Sequence, residues 1–195
     1  MIGGAKFRSA VRKDKLWIAR AMRFASEGIV DFLFSGLPSI LSVDEYLSLE
    51  VARKSSFLSY KNTLIVEVGN EIAGIITCYP GLYFSLPEIP NFVFTREKIQ
   101  SLRPFYAIDL SHTFYIDTLF VAEKFRNQGL AKKLLEKSLN VAKNRGFSVA
   151  SLYVWETNSS AIALYRKLDF VVIKSVRSSF FPFKNRERLL LYKNL

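Results

Sequence analysis

The chain has 195 residues, half of them hydrophobic and 17 of them phenylalanine, which excludes a disordered protein because so many apolar side chains can build a sizeable core. A single cysteine, Cys78, and a single histidine exclude a disulfide framework and a Cys/His metal cluster, so we expect no metal. The 28 lysine and arginine residues outnumber the 17 aspartate and glutamate residues, and the formal net charge of +11 favours phosphate-bearing partners.

The sequence gives no sign of a targeting signal or a membrane span. Its first residues lack an apolar signal-peptide core, and no run of about 18 uninterrupted apolar residues occurs. We therefore expect a soluble, cytoplasmic protein that does not contact a membrane. The length is sufficient for one compact domain, which we place at 1–195.

The first eighty residues predict strands and helices in alternation. Asp14 precedes a helical pattern and is expected to cap it. Gly69-Asn70 lies between two apolar runs and is typical of a tight hairpin turn. The predicted elements are an edge strand at 6–12, a helix from Asp14 to about Ser26, a loop or short helix at 28–38, a helix at about 43–54, and paired strands at 63–68 and 72–79.

Residues 80–112 are rich in proline and aromatic side chains and do not fit the simple alternation of elements. We interpret this segment as a long insertion with a short helix near 95–102. A segment of this length inside a compact domain is expected either to carry function or to form a dimer contact.

The segment 113–155 predicts a strand, a helix and a second strand. Apolar, β-favouring runs at 113–121 and 149–155 indicate buried strands. Gly146 is positioned to end the helix between them. The helix has an apolar stripe with a period near 3.6, formed by Ala131, Leu134, Leu135, Leu139 and Ala142. Two strands joined by one helix form a βαβ crossover, so we expect them to be parallel.

A short basic turn containing Arg126 and Gly129 connects the first of these strands to the helix. The N-terminus of a helix presents N–H groups without intrahelical acceptors, and Gly129 would let an anion approach the backbone. The turn follows the carboxyl end of a strand, where α/β folds bind ligands. The pattern predicts a pyrophosphate site, with an ordinary surface helix as the alternative; neither a Walker A loop nor a dinucleotide fingerprint is present.

The residues after 155 predict a further helix and a final strand pair. Asn158 is a good N-cap, and Ala161, Leu164, Tyr165 and Leu168 form the apolar stripe of the helix. The last strands are expected at about 170–178 and 187–193.

Two motifs in this region resemble a known family. Arg126-x-x-Gly129-x-Ala131 resembles the acetyl-coenzyme A signature of the GNAT superfamily of N-acetyltransferases. The pattern from Asn158 through Tyr165 to Phe170 looks like the motif that follows in that superfamily. The resemblance is specific over about 113–172 and elsewhere covers only the order of elements. Ala131 replaces a frequent glycine, and Asp169 replaces the usual glycine before the final phenylalanine, a change that costs little because aspartate tolerates left-handed φ values.

The resemblance implies an α/β (α+β) fold with a mixed, mostly antiparallel sheet of six to seven strands, helices on both faces and a central βαβ unit. It implies acetyl-coenzyme A as the acetyl-donating cosubstrate. The backbone of the turn would hold the pyrophosphate and the preceding strand would bind the pantetheine arm. The implied coenzyme-binding residues are Leu119, Phe120, Val121, Arg126, Asn127, Gln128, Gly129, Leu130, Ala131, Asn158 and Tyr165.

Acetyl transfer needs a neutral amine and a proton for the departing thiolate. At pH 7 neutralising a lysine-like amine costs about 4.6 kcal/mol and neutralising an α-amine about 1.4 kcal/mol, so a base matters more for the former. Asp117 is the candidate base, with a hydrogen-bonded structural aspartate, His112 or a water chain as alternatives. The resemblance makes Tyr165 the general acid, with a packed aromatic side chain as the alternative.

We therefore expect an N-acetyltransferase that acts by direct attack in a ternary complex, because Cys78 lies in the predicted hairpin, away from both motifs. Its partners would be acetyl-coenzyme A and an amine acceptor, either a small molecule or a peptide or protein amine. A homodimer stays open. The alternatives are a non-catalytic acetyl-coenzyme A-binding protein of the same fold and, less favoured, a basic nucleic-acid-binding protein, since the basic residues are spread along the chain.

Overall fold

The computed structural model describes residues 4–38, 40–85, 95–178 and 183–195. Within these ranges the strands are β1 Ala5–Ser9, β2 Thr63–Val68, β3 Glu71–Pro80, β4 Phe114–Val121, β5 Val149–Trp155, β6 Val171–Arg177 and β7 Glu187–Asn194. The α-helices are α1 Lys15–Ala25, α2 Ile29–Phe34, α3 Val43–Ala52, α4 Arg96–Tyr106, α5 Leu130–Asn144 and α6 Ser159–Arg166.

The strands follow the order β1-β2-β3-β4-β5-β7-β6 in a seven-stranded sheet. β4 and β5 are parallel, from Phe114↔Ala150 to Ile116↔Leu152. The β1/β2, β2/β3, β5/β7 and β6/β7 pairs are antiparallel. The expected mixed, mostly antiparallel sheet with a βαβ crossover is therefore confirmed.

The chain divides into two compact units. The first unit comprises Met1–Tyr79 and Asp117–Val141, and the second comprises Pro80–Ile116 and Ala142–Leu195. No helix within the described residues is both long and apolar enough to span a membrane.

The core of the first unit forms between α1, α3 and the β2/β3 hairpin. Ile18 and Met22 of α1 lie one helical turn apart, and both are buried with Leu47 and Val51 of α3 and with Ile65 of β2. Each such side chain contributes about 1.5–3 kcal/mol when fully buried. The α3 helix starts with a capping box, in which Ser42 Oγ accepts from the Glu45 N–H and the Glu45 carboxylate accepts from the Ser42 N–H.

Asp14 precedes α1 as predicted, but its side chain does not cap that helix. Its carboxylate instead accepts two hydrogen bonds from Arg8, at 2.7 and 3.1 Å, and one from the Val11 N–H at 2.8 Å. Burial raises the pKa of Asp14, but the hydrogen bonds from Arg8 and Val11 outweigh it and lower that pKa below the ordinary value. The prediction of a cap was wrong because a nearby guanidinium binds the carboxylate more strongly than the helix amides do.

The two ends of the insertion, at Gly81 and Thr113, are hydrogen-bonded to each other. The Gly81 N–H donates to the Thr113 carbonyl at 2.7 Å. A Cβ at Gly81 would lie 2.0 Å from the Leu110 carbonyl oxygen, so only glycine allows this approach. Residues 86–94 of the insertion, with Phe92 and Phe94, lie outside the described residues.

The helix in the insertion is longer than predicted. It runs over Arg96–Tyr106 rather than 95–102 and includes Pro104 in its last turn. Leu102 and Phe105 of this helix are buried. We attribute the extra turn to their packing, which outweighs the hydrogen bond that a late proline removes.

Candidate active site

The connection from β4 to α5 has the backbone geometry of an anion-binding turn. Asn127 has φ +59° and Gly129 has φ +75°, both in the left-handed region. A Cβ built at Gly129 would meet no atom within 4 Å. The residues from Arg126 to Gly129 are all exposed. We call this segment, residues 126–131, the 126–131 turn; its open side leaves room for a ligand against the backbone.

The N-terminus of α5 faces this open turn. The first helical hydrogen bond runs from the Lys133 N–H to the Gly129 carbonyl at 3.1 Å. The N–H groups of Leu130, Ala131 and Lys132 therefore have no acceptor within the helix. They and the helix dipole attract an anion.

Two side chains stabilise the turn itself. Arg126 Nε donates to the Val121 carbonyl at 3.2 Å, and Gln128 Nε2 donates to the Lys124 carbonyl at 3.4 Å. Arg126 thus donates one N–H to the loop backbone.

The stripe predicted on α5 anchors this helix. Leu134, Leu135, Leu139 and Ala142 are buried, whereas Ala131 is only partly buried. Leu130 and Ser138, which the sequence reasoning left out of the stripe, are also buried. Gly146 has φ +82°, as expected of a residue that ends a helix. A helix fixed along its length holds its N-terminal N–H groups in a defined position.

Asp117 on β4 is partly buried and accepts hydrogen bonds at both carboxylate oxygens. The Tyr79 hydroxyl donates to Oδ1 at 2.9 Å, and the Thr118 hydroxyl donates to Oδ2 at 2.9 Å. Tyr79 is 1 % exposed and lies at the end of β3. Sequence reasoning missed Tyr79, because its partner is 38 residues away and no local pattern marks the pair.

The end of β4 is closely packed against β3. A Cβ at Gly74 would lie 2.6 Å from the Phe120 carbonyl oxygen, and the Ala122 N–H donates to the Ala73 carbonyl at 2.9 Å. The Phe120 ring contacts the Trp17 ring, with centroids 6.0 Å apart. Leu119, Phe120 and Val121 are each partly buried. The Phe120 side chain therefore packs against the core of the first unit, and its strand, β4, ends just before the 126–131 turn.

Cys78 lies nearer to the candidate site than the sequence suggested. It is next to Tyr79, and its surroundings include Ser138 of α5 and the charge of Asp117. Burial raises the pKa of the Cys78 thiol well above its ordinary value, and only the Ser138 hydrogen bond opposes this effect. The thiol is therefore protonated at neutral pH and unsuited to act as a nucleophile.

The second unit carries the other predicted site residues. Asn158 caps α6, since its Oδ1 accepts from the Ala161 N–H at 3.1 Å and from the Ser160 hydroxyl at 3.2 Å. Tyr165 is 7 % exposed, and its ring packs on Phe170 with centroids 5.7 Å apart. Asp169 has φ +61°, the left-handed value for which glycine is usual.

His112 is exposed, and its ring lies 6.0 Å from that of Tyr192. Within the described ranges no group of three or more His, Cys, Asp or Glu side chains could hold a metal ion. The candidate residues thus divide between the units: Asp117, 119–121 and the 126–131 turn belong to the first, and Asn158 and Tyr165 belong to the second.

Comparison with known proteins decides the family. The acetyltransferase (GNAT) family profile matches residues 37–170, which include both motifs. The chain belongs to the GNAT family. A crystal structure of an acetyltransferase has the same fold: the two superpose with a TM-score of 0.69 at 23% identity, over 97% of this chain and 98% of that chain.

Two curated relatives match over shorter stretches. N-alpha-acetyltransferase 30 of Schizosaccharomyces pombe is 34% identical over 80 residues, which are 41% of this chain and 53% of the relative. Thialysine N-epsilon-acetyltransferase of Mus musculus is 32% identical over 63 residues, which are 32% of this chain and 37% of the relative. The chain thus spans about half the length of the first relative and less of the second.

Proposed function

We propose that this chain transfers the acetyl group of acetyl-coenzyme A to an amine. The 126–131 turn carries the proposal, because two left-handed residues, a glycine open to solvent and the N-terminus of a 15-residue helix occur together. This arrangement fits a pyrophosphate, which needs backbone N–H donors and close approach more than side-chain charge. Membership of the GNAT family supports the same cosubstrate.

In this proposal the backbone of the 126–131 turn holds the pyrophosphate, and residues 119–121 bind the pantetheine arm. Asn158 and Tyr165 contact the coenzyme from α6. Acetyl-coenzyme A supplies an acetyl thioester when bound. The net charge of +11 adds a long-range attraction for its phosphates.

The proton transfers are assigned to Asp117 and Tyr165. Asp117 accepts a proton from the acceptor ammonium, and Tyr79 and Thr118, which donate to its two oxygens, fix the carboxylate for this step. Tyr165 donates a proton to the departing thiolate. Direct attack by the amine is proposed because the buried, protonated Cys78 does not offer a thiolate for a covalent route.

For the acceptor we propose an α-amine ahead of an ε-amine. Both oxygens of Asp117 already accept a hydroxyl hydrogen bond, so an ammonium proton has to share one of them. An α-amine, which costs about 1.4 kcal/mol to neutralise at pH 7, makes less demand on such a base than an ε-amine at about 4.6 kcal/mol. The name of the first relative, an N-alpha-acetyltransferase, points in the same direction, whereas that of the second, an N-epsilon-acetyltransferase, points to the other amine.

The proposal also includes a single functional domain over 1–195, a cytoplasmic location, no membrane contact and no metal. A homodimer is the assembly to test if the chain is not monomeric.

Calorimetric titration of acetyl-coenzyme A, followed by thiol-release assays with peptides and lysine-like amines, tests the function. We expect micromolar binding and faster release with free peptide N-termini than with ε-amines. Binding without release from any amine would support the non-catalytic alternative. No binding, together with salt-sensitive binding of a short DNA duplex, would overturn the proposal in favour of a nucleic-acid partner.

A further inference from the structure

A cluster of rings surrounds one arginine in the second unit. The guanidinium carbon of Arg188 on β7 lies 4.9 Å from the ring centroid of Tyr153, 5.1 Å from that of Phe105 and 5.5 Å from that of Trp155. Tyr153 and Trp155 come from β5, and Phe105 comes from α4. We call these four residues the aromatic–arginine cluster.

Two polar atoms of this cluster have no partner in the described part of the chain. Tyr153 is 8 % exposed, and its buried hydroxyl makes no hydrogen bond to any described group. Arg188 Nε is buried and likewise makes no hydrogen bond there. Rings attract a guanidinium, but they do not accept its N–H groups in the way that an oxygen does.

The neighbouring arginines are different. Arg177 pairs with Glu187 at 3.2 Å. Arg186, whose guanidinium lies 4.4 Å from the Trp155 ring centroid, donates to Thr157 Oγ1 at 3.0 Å. No such ion pair or hydrogen bond is found for Arg188 within 4–38, 40–85, 95–178 and 183–195. A partly buried charge without a partner is costly, and a buried polar group left unsatisfied in a native structure calls for an explanation such as a bound ion.

The protonation states favour an anionic ligand. Burial raises the pKa of Tyr153 to about 12, while the charge of Arg188 acts in the opposite direction. The tyrosine is therefore a neutral O–H group at pH 7, and the arginine is a cation. Both can donate a hydrogen bond to the same negatively charged oxygens.

We propose that Arg188 and Tyr153, next to the buried rings of Phe105 and Trp155, bind the carboxylate of a small molecule. One unpaired guanidinium matches the single negative charge of a carboxylate, and a carboxylate oxygen accepts from Nε–H and from the tyrosine O–H. Phe105 is 0 % and Trp155 3 % exposed, so these rings exclude water from around the guanidinium and strengthen its hydrogen bonds to an anion. The site belongs to the second unit alone and does not depend on acetyl transfer.

Trp155 provides a direct readout. The chain has two tryptophans, so a Trp17→Phe background leaves Trp155 as the only indole. Benzoate is the probe, benzamide is its neutral control of the same shape, and inorganic phosphate is the anion without an apolar body. We expect saturable quenching of Trp155 by benzoate and none by benzamide or phosphate.

The variants separate this site from general charge effects. Arg188→Met should weaken benzoate binding by at least about tenfold, and Tyr153→Phe by about three- to tenfold, because each removes one donor. Arg177→Met removes the same charge from an exposed, paired arginine of this unit and should leave binding unchanged. Tyr153→Phe keeps the ring, so it remains informative if Arg188→Met does not fold.

The proposal is overturned if benzoate does not quench Trp155, or if it binds equally well to Arg188→Met and to Tyr153→Phe. Equal quenching by benzamide would mean that the rings alone bind the probe. Tighter binding of phosphate than of benzoate would overturn the carboxylate assignment.

Discussion

The two candidate anion sites of this chain differ in the groups that would bind the anion. In the 126–131 turn the donors are backbone N–H groups at the start of α5, and Asn127 and Gly129 have left-handed φ values. The aromatic–arginine cluster uses side chains, with a guanidinium among three rings and a tyrosine hydroxyl. The turn is exposed, whereas Tyr153 is 8 % exposed.

This difference determines which substitutions matter. A backbone site is damaged by adding atoms or charge where the ligand approaches, and it tolerates the loss of a neighbouring side chain. A side-chain site loses its function when one donor is removed. The two sites should therefore respond independently, because the first relies on a conformation and the second on particular functional groups.

The largest effect is expected at Gly129. Gly129→Glu places a side chain and a negative charge against the bound pyrophosphate and should weaken acetyl-coenzyme A binding by at least about 100-fold. Gly129→Gln is the matched control, because it has the same bulk and the same strain at φ +75° without the charge, and it should cost about tenfold.

Calorimetry on both variants measures these affinities, and benzoate quenching of Trp155 checks the second site in parallel. The comparison fails if Gly129→Glu also abolishes benzoate binding while the protein remains folded. Unchanged affinity for acetyl-coenzyme A in Gly129→Glu would show that the turn does not hold the pyrophosphate.

The features of this chain that the sequence predicted are those specified by residues close together in the chain. The turn and α5 are specified within about twenty residues, so the spacing of Arg126, Gly129 and the leucine stripe predicts strand, turn and helix. The β2/β3 hairpin and the positive φ of Asp169 are local in the same sense. Local patterns of this kind predict the elements, whereas the mixed, mostly antiparallel sheet was implied by the family resemblance.

Contacts between distant residues could not be predicted. Asp14 follows a capping pattern, yet it binds Arg8, and nothing near Asp117 indicates that Tyr79 donates to it. The aromatic–arginine cluster combines α4, β5 and β7, and its residues are ordinary core or surface types when each is considered alone. Such sites depend on tertiary packing, which sequence periodicity does not encode.

The next largest effect concerns Tyr165, the side chain assigned to proton donation. Tyr165→Phe keeps the ring that packs on Phe170 and removes only the hydroxyl. We expect turnover to fall about 100-fold, with acetyl-coenzyme A affinity within a few fold of the parent, since general acids contribute about 100-fold or more. Tyr83→Phe, at a tyrosine 55% exposed in the same unit, is the control. Unchanged turnover would mean that Tyr165 is only a packed aromatic residue.

A smaller, acceptor-dependent effect is expected at Asp117. Asp117→Asn retains the shape of the side chain and removes its capacity to take a proton. Turnover should fall about tenfold with an α-amine and further with an ε-amine, whose neutralisation costs about 3.2 kcal/mol more at pH 7. Tyr79→Phe removes one donor to Asp117 and should cause a smaller loss. Equal losses for the two amines would favour a structural aspartate.

The smallest effect is expected at Arg126, and it tests the backbone character of the turn most directly. Arg126→Gln removes an exposed charge, while glutamine can still donate to a carbonyl such as that of Val121. If the N–H groups of α5 bind the pyrophosphate, acetyl-coenzyme A affinity should fall only a few fold, in line with the modest value of an exposed charge pair. The loss should shrink further as salt is raised, because exposed charges are screened. A loss as large as that of Gly129→Glu would make the turn a side-chain site like the aromatic–arginine cluster, and the distinction between the two would no longer hold.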